Sequence, residues 1–457
     1  MKFATITAAL ASAALLPAAA MAQDHDHHSA TPPPSAPAAA PADHVMAPAT
    51  HHHHHAPPST PATADTATHD HASGHGSGSG QEMPYVIGSG TARLPGAAGM
   101  HGLHIQSGAW MLMAHGYLST QYTDHSGPRG DDKLYATSMA MLTAERETSF
   151  GRVQLRSMLS LEPAMSRRGF PNLFATGETA YGQPLVDRQH PHDAFMELAA
   201  RVDFNLGGTL QAFVYGGPVG EPALGPTAFM MRSSSRLNPE PPITHHWFDS
   251  THITYGVVTA GLSTPTWQLE ASAFRGAEPD EERWGIETPK LDSWSVRATW
   301  TPDPKWALQA SWAKIKAPEA LHFGQDERRT TASAHYADGR GFSATAAFSA
   351  KDRVPGPTLT AWLAEANWDL DAANTVFGRV ENVANDELFP DHHHPLHDRP
   401  FRVTKMQAGY ARRIALAPFE LALGGSLAAY AKPDALDAAY GKNPWGYTLF
   451  ARISLGG

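Results

Sequence analysis

From about Gly108 onward, segments of about ten to fourteen residues alternate apolar and polar side chains, and the connections between them alternate long and short. Leu155, Leu159 and Leu161 alternate with Arg152, Gln154, Arg156 and Glu162, and Trp267, Leu269 and Ala271 with Gln268, Glu270 and Ser272. Met196, Leu198, Ala200, Val202 and Phe204 alternate with Glu197, Arg201 and Asp203. About sixteen such segments fit between 107 and 455, an even count. Short connections fall at 148–150, 205–208, 263–265, 302–304 and 338–340, and the longest at 164–192, 218–250 and 384–399. With both termini on one side, the short ones are periplasmic turns and the long ones outer loops, the pattern of a transmembrane antiparallel β-barrel. A soluble sandwich or propeller also alternates but lacks this rhythm. Sixteen strands enclose more space than side chains fill, so the apolar faces are expected to meet lipid. Trp110, Tyr122, Trp247, Trp267, Trp294, Trp300, Trp306, Trp368 and Trp445 suit interfacial girdles.

Residues 1–22 read as a signal peptide: Lys2, an apolar run from Ala4 to Leu16, and the small-x-small step Ala20-Met21-Ala22. No later stretch approaches the length of a membrane-spanning helix. Residues 23–98 read as a disordered Ala/Pro/His-rich tail in the periplasm, and 99–457 as the barrel. The tail carries His25, His27, His28, His51, His52, His53, His54, His55, His69, His71 and His75, which can collect copper or zinc ions without a preformed site. With no cysteine, disulfides and zinc thiolate sites are excluded. A net charge of −10 without a basic stripe argues against nucleic acid as a partner.

Ligand-type residues gather in the outer loops. The second loop holds His190-Pro191-His192-Asp193, where proline keeps the chain extended and both imidazoles on one side. The third ends His245-His246-Trp247-Phe248-Asp249-Ser250-Thr251-His252 and runs into a strand in which Ile253, Tyr255 and Val257 are expected to face lipid, leaving His246, Ser250 and His252 on the lumen side. The seventh adds Asp391, His392, His393, His394, His397 and Asp398. Convergence of His190, His192, Asp193, His246 and His252 predicts a metal site at the outer mouth; the competing reading is a hydrogen-bonded network that pins the loops inward. Met111, Met113, Met139, Met141 and Met158 fall on the inner wall of the first three strands, where they suit a soft ion or fill space under an inserted loop. Inward charges of both signs, among them Arg156, Glu197, Arg201, Asp203, Glu270, Arg297, Glu365, Arg379 and Glu381, predict a hydrated interior. No H-E-x-x-H, G-x-S-x-G or P-loop occurs, and Ser250 with His252 is the one arrangement that invites a hydrolase reading.

The stretches TGETAYGQPLVDRQHPHD, GEPALGPTAF, NPEPPITHHWFDSTHITYGVVTAGL and EPDEERWGIETPKLDSWS resemble those of a family of exported bacterial proteins taken to be outer-membrane β-barrels. The resemblance covers most of 100–455. It implies the fold, the location and an association with metal resistance, and it brings no established activity. The expected function is a porin-like barrel that passes or binds small solutes, with handling of copper or zinc as its sharpest form. The alternatives are a hydrolase at the outer mouth and a plugged structural or adhesive barrel. Lipid, small solutes or metal ions, and further copies of the chain are the expected partners.

Overall fold

The protein is described by a computed structural model over residues 84–456. Sixteen long strands close into one antiparallel barrel. In chain order they are β1 (Trp110–His125), β2 (Asp132–Thr148), β3 (Gly151–Leu159), β4 (Phe195–Gly207), β5 (Leu210–Gly220), β6 (Thr254–Ser263), β7 (Trp267–Phe274), β8 (Ser293–Trp300), β9 (Trp306–Ile315), β10 (Asp326–Ala337), β11 (Phe342–Val354), β12 (Thr358–Asp369), β13 (Asn374–Asn385), β14 (Phe401–Leu416), β15 (Phe419–Ala431) and β16 (Trp445–Leu455). The seam joins Gly116–His125 of β1 to β16, and a short strand, Leu103–Ser107, pairs with the first residues of β1 beyond the reach of β16. Two-residue gaps such as 149–150 and 208–209 mark the turn end of the barrel, and the long connections mark its loop end.

The two faces separate as the alternation requires. On β7 Leu269 is 55% exposed, whereas Gln268 and Glu270 are buried. Leu155, Val258, Leu262, Val380, Leu423 and Leu449 face outward, with Trp294, Trp300, Trp306, Trp368 and Trp445 exposed on the outer wall. Arg156, Glu197, Arg201, Asp203, Glu270, Arg297, Glu365, Arg379 and Glu381 are all buried inside. An apolar exterior around a charged interior inverts a soluble barrel and is the arrangement lipid demands.

Three expectations about facing are corrected. Ile253, Tyr255 and Val257 point into the lumen, and Val258 and Leu262 take the outer face. The interior at this level is packed with inserted loops, so an inward apolar residue is no longer penalised. Met196 also turns inward beside Glu197, because a bulge between Phe195 and Glu197 resets the alternation of β4. Trp247 is buried within the barrel, not at a membrane interface.

The lumen is filled. Loops 160–194 and 221–253 fold inward, and Leu173, Phe174, Ile243, Trp247 and Phe248 pack against Leu359, Leu363, Val383, Phe401 and Val403 of the wall. Ion pairs fasten the second of these loops: Arg232 to Glu365 at 2.6 Å, and Glu240 to Lys405 at 2.7 Å. From the turn end a hairpin, Tyr85–Ile87 with Arg93–Pro95, enters the barrel. Its backbone carbonyls are met by wall side chains: Arg156 donates to the oxygens of Gly88 and Gly90, Gln268 to that of Thr91, and Gln309 to that of Arg93. The tail was expected to run to residue 98; residues 84–98 are instead part of the folded barrel, and the rest of the tail, with its histidines, lies outside the described residues.

Candidate functional site

The sequence placed His190 and His192 on one loop and His246 and His252 on another, and the folded loops bring all four together with His245. Each loop has its own local support. In the first, Phe170–Pro171 pairs with Arg188–Gln189, and the Asp187 carboxylate accepts from the Phe174 backbone N–H at 2.8 Å, which sets the chain that leads into His190. In the second, His245–Phe248 form a single helical turn and Ser250–His252 a 3-10 turn. The Glu381 carboxylate accepts from both the backbone N–H and the hydroxyl of Thr244, at 3.0 and 2.9 Å, and so fixes the start of that turn. The histidines therefore reach the lumen from helical turns, not from the extended run the sequence predicts.

The five rings form one contiguous cluster. Centroid separations are 5.1 Å for His245–His252, 5.2 Å for His245–His246, 5.3 Å for His192–His252, 5.8 Å for His190–His246 and 6.0 Å for His190–His192. Two overlapping triads, His190–His245–His246 and His192–His245–His252, each offer one nitrogen per ring with all three within 4.8 Å. All five residues are buried.

Three of these rings are oriented through Nδ1. His192 Nδ1 lies 2.9 Å from the Glu162 carboxylate, His252 Nδ1 2.6 Å from the Asp249 carbonyl, and His190 Nδ1 3.0 Å from the Pro191 carbonyl. An acceptor at Nδ1 places the proton there and leaves the Nε2 lone pair free. The three Nε2 atoms are buried with no hydrogen-bond partner among the described residues. A hydrogen-bonded Nδ1 with an open Nε2 is how metal-binding imidazoles are held. Burial lowers the pKa of His245 to about 4, only partly opposed by Asp249, and pushes His190 and His252 well below the ordinary histidine range. These three rings are neutral at physiological pH, the state a ligand needs.

The arginines in this region pair with carboxylates, and among the described residues none hydrogen-bonds a ring of the cluster. Asp193 accepts from Arg283 at 3.1 Å and from the Tyr255 hydroxyl at 3.0 Å, so it is engaged in an ion pair and stands outside both triads. Arg188 pairs with Asp131, and Arg232 with Glu365 and Asp249. Ser250 accepts from Arg329 at 2.8 Å, which is not the serine–histidine bond that nucleophilic catalysis requires. His392 and His397 of the 386–400 loop bond to each other at 2.8 Å in an exposed position. The cluster Glu319–His322–Glu387 has ligand-like spacing, but Lys351 and Arg353 pair with its carboxylates and Arg353 donates to His322 Nδ1, making it a neutralised network.

Met113, Met139, Met141 and Met158 are buried inside and pack with Met196, Val219, Ile253 and Tyr255 under Met230 and Met231 of the inserted loop; Met111 is half-buried at the start of β1. A cavity of about 100 Å³ lies at the turn end of this cluster, lined by Met113, Met141, Met230, His101, His115 and Arg452.

Sequence reasoning places His245 and Asp249 within the third-loop motif without assigning either to the metal site, and it passes over Glu162 and Arg283 as site residues. Glu162 and Arg283 lie 30 and 90 positions from the residues they contact, His192 and Asp193, and nothing local marks them.

No protein-family model and no curated protein matches the chain. Among solved structures, the anion-selective porin from Comamonas acidovorans is similar over 76% of this chain and all of its own, with 13% identity and a TM-score of 0.47. Salmonella typhi OmpF, in complex with daunomycin, covers 77% at 7% identity and 0.49, and the outer-membrane channel DcaP of Acinetobacter baumannii 78% at 11% and 0.45. At these values the likeness stops short of function, and the reading below rests on the chain's own site.

Proposed function

We propose that this chain is a bacterial outer-membrane barrel that binds a divalent transition-metal ion, copper or zinc by ligand type, among the loops that fill its lumen, and that it serves metal handling rather than general solute flow. The apolar exterior supports the location, with the short turns and the N-terminal tail on the periplasmic side. The observation that carries the metal reading is the convergence of five buried imidazoles, three of them with Nδ1 bonded and Nε2 unpartnered among the described residues. Leaving such nitrogens buried and unmatched costs free energy that a cation offsets. Nitrogen-only ligation by histidine favours copper, zinc or nickel over calcium or magnesium. A loop-pinning network would instead match each imidazole to a donor or acceptor.

The test is zinc titration of the purified full-length barrel beside the double variant His190→Ala/His252→Ala. The wild type is expected to show a tight phase that the variant lacks, with the weak, multiple binding of the tail common to both. An unchanged tight phase in the variant would leave the cluster as packing and the protein as a plugged structural barrel. Planar-bilayer conductance with and without zinc then reports whether the ion alters flow.

A further inference from the structure

The imidazole cluster adjoins a group of different chemistry. Glu178 of the 160–194 loop, His246 of the 221–253 loop and Glu278 of the 275–292 loop bring one ligand atom each within 4.8 Å of the others. Three separate loops build this position. His246 Nδ1 stands 3.5 Å from Glu278 Oε1, and His190 Nε2 stands 3.4 Å from Glu178 Oε1, so the group shares His246 with one triad and touches its other end. His246 Nδ1 and Glu278 Oε1 are both buried with no hydrogen-bond partner among the described residues.

Charge is unbalanced there. Arg283 is divided between Asp193 and Glu178, while the cations facing Glu278, Lys351 and Arg329, are held by Glu319 and Glu327. Glu278 thus has no cation of its own, and the burial of its carboxylate is only partly offset, by Ser250 and by these shared cations. Arg283 engages Glu178 through Oε2 at 3.0 Å and leaves Oε1 facing His190. Glu278 belongs to the loop whose Glu281 caps the exposed turn at Tyr181 and Gly182, so this position lies on the outward side of the cluster.

We propose that Glu178, His246 and Glu278 form a second, oxygen-rich position for a divalent cation, from which an ion passes to the imidazole centre through the shared His246. This rests on the reading of the imidazole cluster as a metal site. A divalent ion at about 2.1 Å from each ligand draws ligand atoms to about 3.4 Å from one another, a small closure from the present separations. Carboxylate oxygen with a single nitrogen accepts a partly hydrated ion more readily than five nitrogens do, which suits the outer of two positions. The competing arrangement is a protonated Glu278 that donates to His246 and holds no ion.

The experiment loads the full-length barrel with zinc, removes loosely held ions with citrate, and counts retained zinc by elemental analysis. The variants are Glu278→Gln and His192→Ala/His252→Ala, with heat-modifiable migration as the check on folding. The wild type is expected to retain one zinc more than Glu278→Gln, and the conservative variant Glu278→Asp to recover it. The histidine double variant is expected to lose the central ion and keep the one that depends on Glu278. Equal counts in wild type and Glu278→Gln overturn the second position while leaving the central reading intact. Equal counts in all variants overturn both. Loss of both ions in folded Glu278→Gln makes the group one cooperative site and also overturns a separate outer position.

Discussion

The sharpest test of the metal reading leaves every imidazole in place and changes a residue behind one. Glu162 Oε2 accepts from both the backbone N–H and Nδ1 of His192, each at 2.9 Å, in a buried setting. Glu162→Gln keeps the shape and one acceptor oxygen but removes the charge that fixes the tautomer and makes Nε2 more basic. Loss of such a partner weakens metal affinity by about 10- to 100-fold, or about 1.4–2.7 kcal/mol. Zinc affinity of the full chain, measured by competition with a chelator, should fall by that factor in the tight phase and stay level in the weak one. If the cluster only pins loops, the same change removes a charged hydrogen bond of about 1.5–3 kcal/mol and lowers stability equally with and without zinc. A tight-phase affinity within about twofold of wild type, with equal loss of heat-modifiable stability in both conditions, would refute the argument.

Proton competition should separate the two histidine populations. Neutral imidazole is the ligand, and because burial lowers His245 to about 4 and holds His190 and His252 well below the ordinary histidine range, tight-phase affinity should hold from pH 8 down to about pH 5, while the weak phase expected of the tail should be lost as pH falls through about 6.5; calorimetry at pH 7.5 and 5.5 reads both. Gly177→Ala should abolish tight binding by displacing His246, since a Cβ there would stand 2.5 Å from the ring and the backbone φ of +114° disfavours any side chain; an unaltered cobalt(II) spectrum would contradict this. In planar bilayers, deletion of residues 84–98 should raise conductance severalfold by removing the hairpin from the lumen, and equal conductance would place the constriction in the loops alone.

The barrel was legible because its signals are local. Leu269 between Gln268 and Glu270 fixes a face without reference to any other strand. The errors share one cause. Ile253 and Tyr255 are inward because they pack with Met113, Met139 and Met158 beneath an inserted loop, Val257 because it packs with Leu224, Phe274 and Ile315, and alternation cannot distinguish lipid from a filled interior. The hairpin at 84–98 was hidden for a similar reason: Gly, Ser and Pro match a linker, and its partners lie far along the chain, as when Thr91 bonds to Glu270 and Arg297. The site was half visible. The His-Pro-His and His-His motifs announced ligands, and Asp193 beside them drew attention that belongs to Arg283, whose part follows only from tertiary packing.

The hairpin also constrains assembly. It precedes every wall strand in the chain, yet its donors come from β3, β7, β8 and β9, and Ser89 accepts from Ala228 of an inserted loop. A segment made before the wall therefore has nowhere to dock until the middle of the wall exists. Pairing of β1 with β16 comes after that, since β16 is the last strand made, and the seam can seal only around an interior already threaded. Closure and filling are then a single event, and an insertase working on this chain must hold the sheet open long enough for its own N-terminal segment to be captured inside.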